Sequence, residues 1–169
     1  CFGLLFFMTS FNLILPELNE FITNMGGAKH KSLIITFFTV SALISRPFSG
    51  KLSDTIGRKK VMYIGMAIAV IVSLLYPLFG VVSLFLFLRL MHGFSAGFLP
   101  TGATALVTDI LPSDKRGVGM GIWGVFISLG FGVGQALGSI IRVEVGMTNL
   151  FFIAALFAVF SGILISLVK

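Results

Sequence analysis

Apolar residues run through this chain in six long blocks, at 1–23, 32–48, 61–78, 81–111, 116–141 and 148–168, and polar residues gather in the short gaps between them. Most blocks approach the ~20 residues that carry a helix across a bilayer, so the pattern predicts six membrane-spanning helices. The gaps are brief: 24–31 with its Gly26-Gly27 pair, a basic stretch at 49–60, the Phe79-Gly80 turn, Pro112-Ser113-Asp114, and 142–146. Connections this short make successive helices antiparallel neighbours.

Composition strengthens that picture. Hydrophobic residues make up 57% of the 169 and charged residues only 11%, with a mean hydropathy of +1.09, whereas soluble domains run at about 25% charged. No soluble surface can be built from this, and the net charge of +6 does not read as affinity for nucleic acid. The 20 Gly and 19 Phe suit helices that pack closely while showing large side chains to lipid. One Cys and two His make neither a disulfide framework nor a credible metal site and leave the redox compartment undetermined, and no phosphate-binding glycine loop is present, so no cofactor is assigned.

Charge asymmetry sets an orientation. If the gap at 49–60 is cytoplasmic, Lys51, Arg58, Lys59, Lys60, Lys115, Arg116 and Lys169 lie inside, against Lys29, Lys31 and Arg142 outside, and both chain ends are inside. Arg46 and Arg89 fall within apolar blocks. Cys1 stands where an initiator Met is expected, directly inside an apolar block, so part of the first helix is expected to be missing.

The gap at 49–60 is the most specific motif. Gly50-Lys51-Leu52-Ser53-Asp54-Thr55-Ile56-Gly57-Arg58-Lys59-Lys60 reads as a stop, a charge pair and a restart: Ser53 and Asp54 suit caps and turns, and Gly57 suits a tight reversal. This stretch resembles the loop between the second and third helices of major facilitator superfamily transporters, with the pattern Gly-x-Leu-x-Asp-x-x-Gly-Arg-Lys. Arg89-Leu90-Met91-His92-Gly93-Phe94-Ser95-Ala96-Gly97 is similar to that superfamily's fourth-helix motif, with His92 at a Gln position. Asp109-Ile110-Leu111-Pro112-Ser113-Asp114-Lys115-Arg116-Gly117 resembles its exit from helix four into helix five. Gly130-Phe131-Gly132-Val133-Gly134-Gln135-Ala136-Leu137-Gly138-Ser139 is similar to its antiporter stretch, with Gln135 in place of Pro and Ser139 in place of the last Gly. Arg46-Pro47-Phe48 resembles the drug and metabolite efflux branch.

The resemblance implies an all-α membrane fold: residues 1–169 as the N-terminal six-helix bundle of a major facilitator transporter, with a second six-helix half outside this chain. It further implies proton-coupled efflux of a small organic solute by alternating access, in a bacterial cytoplasmic (inner) membrane. Uptake by a symporter of the same fold, or a non-transporting membrane scaffold, are the alternatives. The partners implied are a small-molecule substrate, protons, the lipid bilayer and the second half. A gating set of Arg46, Gly50, Asp54, Gly57, Arg58, Lys59 and Asp109 also follows, with Asp54 facing a helix terminus of the other half and Arg58 paired with Asp109.

Candidates for substrate or proton handling are Asn12, Glu17, Arg89, His92 and Gln135. A cation inside a membrane helix costs about 2.5–3.5 kcal/mol unless it faces protein or water, so Arg89 either braces the bundle or serves coupling, the role the resemblance links to it. His92 either titrates or only hydrogen-bonds. Glu17 alone among the six acids follows a long apolar run outside an evident loop, and is either a coupling acid or a water-solvated vestibule residue. Asn12 and Gln135 either line a cavity or bond between helices.

Gly93 and Gly97, and Gly130, Gly134 and Gly138, recur every four residues and read as packing faces. Pro100 should free a carbonyl and bend its helix. Gly93-Phe94-Ser95-Ala96-Gly97 also matches a hydrolase nucleophile pattern, but that chemistry needs a strand-to-helix elbow and a base held by an acid, so no catalytic residue is assigned and the chain is not read as an enzyme.

Overall fold

The computed structural model describes residues 1–168, which are helical apart from short turns, with no strand among them. Seven helices follow in order: α1 (Phe2–Ile14), α2 (Leu18–Asn24), α3 (Lys31–Ile56), α4 (Arg58–Leu75), α5 (Val82–Ile110), α6 (Arg116–Val145) and α7 (Met147–Ser166). Together with short 3-10 turns they give six spans long and apolar enough to cross a membrane, α1 and α2 sharing the first.

Proline explains the interruption of that first span. Pro16 has no N–H to give the carbonyl of Asn12, so α1 ends at Ile14 and the chain tightens, with the Glu17 N–H donating to the Ile14 carbonyl at 3.1 Å. Pro47 and Pro100 lie inside α3 and α5, which run on through them. Each leaves the carbonyl four residues earlier, Leu43 and Ala96, without its helical partner.

Two of the expected gaps are shorter than the polar pattern suggests. Residues 49–56 continue α3 and Arg58 opens α4, so Ser53 and Asp54 sit in the last turns of a helix rather than at a cap, and the Lys and Arg run forms a first helical turn rather than a loop. Only Gly57 leaves the helical region, at φ +100°, where a side chain would be strained. Gly146, at φ +85°, likewise makes the whole turn between α6 and α7, since α6 reaches Val145 instead of stopping at Ile141. Polarity in these stretches marks where a helix leaves the apolar layer, not where it ends.

The helices pack in a chain of neighbours: α6 on α1, α1 on α7, α7 on α4, α4 on α5, and α5 on α3. Glycines make the closest approaches. Gly93 and Gly97 on α5 lie against Phe38, Ser41, Ala42 and Ser45 of α3, and Gly130, Gly134 and Gly138 on α6 lie against Leu5, Thr9, Asn12 and Leu13 of α1. Hydroxyls bond between helices, where lipid offers no competing partner: Ser49 Oγ to the Gly97 carbonyl at 2.8 Å across α3 and α5, and, across α1 and α7, Ser10 Oγ to that of Ala154 at 2.7 Å and Ser161 Oγ to that of Gly3 at 2.6 Å. Large apolar side chains such as Ile44, Phe48, Leu156 and Ile163 remain exposed on the outside. In water these would be a liability, and in a bilayer they face acyl chains.

Candidate functional site

Because α3 and α6 end the chain of neighbours without closing it, a cavity of about 830 Å³ opens between α1, α3, α5 and α6. Its α1 wall is one helical stripe, Phe7, Met8, Phe11, Asn12 and Leu15. The α3 wall is a second, Phe38, Thr39, Ala42, Leu43 and Arg46, and α5 adds Arg89, Ala96, Pro100, Thr101, Thr104 and Ala105. Ile127 and Phe131 come from α6. The surface is mostly apolar and aromatic, with a few polar groups placed on it, as small-molecule sites generally are.

Arg89 touches this cavity but is only 1% exposed. Its Nε donates to the Ile34 carbonyl at 3.3 Å, its Nη1 to the Tyr76 hydroxyl at 3.5 Å, and its guanidinium lies over the Phe38 ring, 4.6 Å from the centroid. His92, fully buried one turn along, shares the same hydroxyl through Nδ1 at 3.1 Å, and Phe11 packs on its ring at 4.3 Å. Arg89, Tyr76 and His92 thus form one buried polar cluster behind the aromatic wall. Tyr76 is absent from the residues singled out by sequence, because it lies just before Pro77 at the end of an apolar run and meets Arg89 only through the fold.

Asn12 is buried in the wall, with Nδ2 donating to the Met8 carbonyl at 2.8 Å and Oδ1 without a partner among the described residues. Glu17 lies away from the cavity. It is buried, accepts from Ser139 Oγ at 2.7 Å, and pairs with Arg142 Nε at 2.9 Å, while Arg142 also reaches Glu20. Instead of standing in a watery vestibule, Glu17 ties the α1–α2 corner to the end of α6. Gln135 is exposed on α6 and outside the cavity wall.

Arg58, at the start of α4, joins residues of the α3–α4 motif to the end of α5: Nε donates to Asp109 Oδ2 at 2.9 Å, and Nη1 bonds to Asp54 and to Ser53 Oγ, the latter at 3.4 Å. Lys59 donates to the Val168 carbonyl, which closes α7 against the same end. Gly50 and Gly57 have open space around them. Arg46 stands apart from this set, on the cavity wall. Ser95 is buried, its Oγ has no partner among the described residues, and His92 is turned to Tyr76, so no Ser–His pair forms.

The ends of the bundle separate the cations. Lys51, Arg58, Lys59, Lys60, Lys115 and Arg116 lie in or beside the turns joining α3 to α4 and α5 to α6, with Lys169, counted with them above, outside the described residues. Lys29, Lys31 and Arg142 lie at the opposite end. That asymmetry puts the first group in the cytoplasm.

Six apolar spans around a cavity, with cations biased to one end, define an integral, multi-pass membrane protein. A family model described as the Major Facilitator Superfamily matches residues 1–169, and the chain belongs to that superfamily. It is 33% identical over 153 residues to Multidrug resistance protein 2 of Bacillus subtilis (strain 168), covering 89% of this chain and 38% of that protein. It is 27% identical over 138 residues to Quinolone resistance protein NorA of Staphylococcus aureus (strain Mu50 / ATCC 700699), covering 81% and 36%. The crystal structure of the human organic anion transporter MFSD10 (TETRAN) matches with a TM-score of 0.78 and 25% identity, over 97% of this chain and 44% of that one. The chain therefore spans less than half the length of each of these proteins.

Proposed function

We propose that this chain forms one cavity-bearing half of a secondary active transporter that exports a small organic solute in exchange for protons, in the cytoplasmic membrane of a bacterium. The observation that carries the reading is the cavity of about 830 Å³, walled on one side by helices that meet through glycine and open between α3 and α6. An open side suits a second six-helix half, and the drug resistance for which the two bacterial relatives are named is in keeping with export of an organic solute. The two halves would rock around a midplane site, with protonation and solute occupancy biasing the two states. Asp54, Arg58 and Asp109 would hold the cytoplasmic side closed, a local electrostatic contact that needs no chemistry. Glu17 is engaged by Arg142 and Ser139, so the coupling role falls to Arg89 with His92 beside the cavity.

The test uses the protein from its complete reading frame, reconstituted in proteoliposomes with norfloxacin, ethidium or 2-naphthoate as solute. An imposed pH gradient should drive movement of at least one of them, and a protonophore should abolish it. Flux that is indifferent to the gradient would overturn proton coupling, and no flux of any solute would overturn transport.

A further inference from the structure

We infer that the cavity takes an amphipathic solute with a planar anionic head, of the carboxylate class, and that Arg46 is the residue that selects it. This deepens the transporter reading and rests on it only in treating the cavity as the solute site.

The cavity wall carries two cations and no acid among the described residues. Glu17 and Glu20 are held by Arg142, Asp54 and Asp109 by Arg58, and Asp114 and Glu144 are exposed at the ends of the bundle. The two arginines are not equivalent. Arg89 is enclosed by a carbonyl, a hydroxyl and a ring. Arg46 is exposed on the α3 wall, and its guanidinium has neither a hydrogen bond nor an ion pair among the described residues.

The register of the packed glycines fixes their separation. Gly93 meets Ser41 and Gly97 meets Ser45, so Arg89 lies level with the Phe37–Phe38 turn of α3, and Arg46 lies about nine residues, or about 13 Å at helical rise, nearer the cytoplasm. Phe11, Phe38 and Phe131 supply apolar surface to the same cavity. A free guanidinium in an apolar wall offers a planar fork that matches a carboxylate in two parallel hydrogen bonds, in a setting where water competes poorly.

Equilibrium binding of tritiated 2-naphthoate to the full-length protein in nanodiscs, with 2-naphthamide and 2-naphthylmethylammonium as competitors, tests this directly. The carboxylate should bind about tenfold or more tightly than the amide, and Arg46→Gln should erase that preference while amide binding, which reports an intact cavity, stays as it was. Arg46→Lys should restore the preference in part, and it carries the test if Arg46→Gln does not fold. Equal binding of carboxylate and amide, a preference that survives Arg46→Gln, a preference for the ammonium, or no binding of any of the three would overturn the inference. Carboxylate-selective binding without gradient-driven flux would instead refute the transporter reading and leave the inference standing.

Discussion

Arg89 shows how a cation is kept inside an apolar bundle without a carboxylate. Its insertion cost of about 2.5–3.5 kcal/mol is opposed by two hydrogen bonds to a charged donor, each worth about 1.5 kcal/mol at these long distances, and by a desolvated cation–π contact of about 2 kcal/mol. Removing the Tyr76 hydroxyl leaves both Arg89 Nη1 and His92 Nδ1 short of a partner. Tyr76→Phe should therefore destabilise the protein by about 1–3 kcal/mol, lowering its melting temperature in detergent by several degrees, while Tyr63→Phe, which breaks no hydrogen bond among the described residues, should leave it unchanged. Equal melting temperatures would mean the cluster holds nothing together. Arg89→Ala should abolish gradient-driven flux, and Arg89→Lys, which keeps the charge but loses the planar fork, should retain part of it. Full flux in Arg89→Ala would leave bracing as its sole role. The sequence exposes Arg89 and Asn12 because a polar group in an apolar run stands out. It hides the partners of Arg89, since Tyr76 and Ile34 approach it from other parts of the fold and nothing in local spacing encodes that meeting. The setting of Glu17 is hidden for the same reason: its partner Arg142 reads as a loop cation, whereas α6 extends past it.

At the scale of helices, the four-residue glycine spacing was legible as a packing face, while the identity of the facing helix was not. Gly97 is the sharpest case, because a side chain there would run into Ser45 Oγ and the Ala42 carbonyl, and the latter is backbone that cannot step aside. Gly97→Val should separate α5 from α3 and cost about 1–3 kcal/mol or more, read as a lower melting temperature or loss of folded protein. Gly132→Val, on an exposed face with open space around it, should melt like the parent. If the two variants behave alike, the α3–α5 contact is not as close as described. The six spans are readable from hydropathy alone, yet the ends of α3, α4 and α6 are not, because residues 49–56, 58–60 and 142–145 carry polar and charged side chains and still form helix. Polarity reports depth in the bilayer, and only Gly57 and Gly146 report the turns.

For the molecule as a whole, orientation follows from where the cations gather. In intact cells, with Cys1→Ser as background, Lys59→Cys should be protected from a membrane-impermeant maleimide and Lys29→Cys should react. The reverse would invert the topology. Alternating access requires the cavity between α1, α3, α5 and α6 to open to one side of the membrane at a time. Leu43 lines that cavity and is exposed, so Leu43→Cys in the same background is a direct reporter. Its alkylation rate by an impermeant maleimide should be measured in right-side-out and inside-out vesicles of the full-length protein, with and without a saturating transported solute. Alternating access predicts that reactivity favours one face and shifts toward the other when the solute is added; equal reactivity from both faces, unmoved by solute, would contradict it.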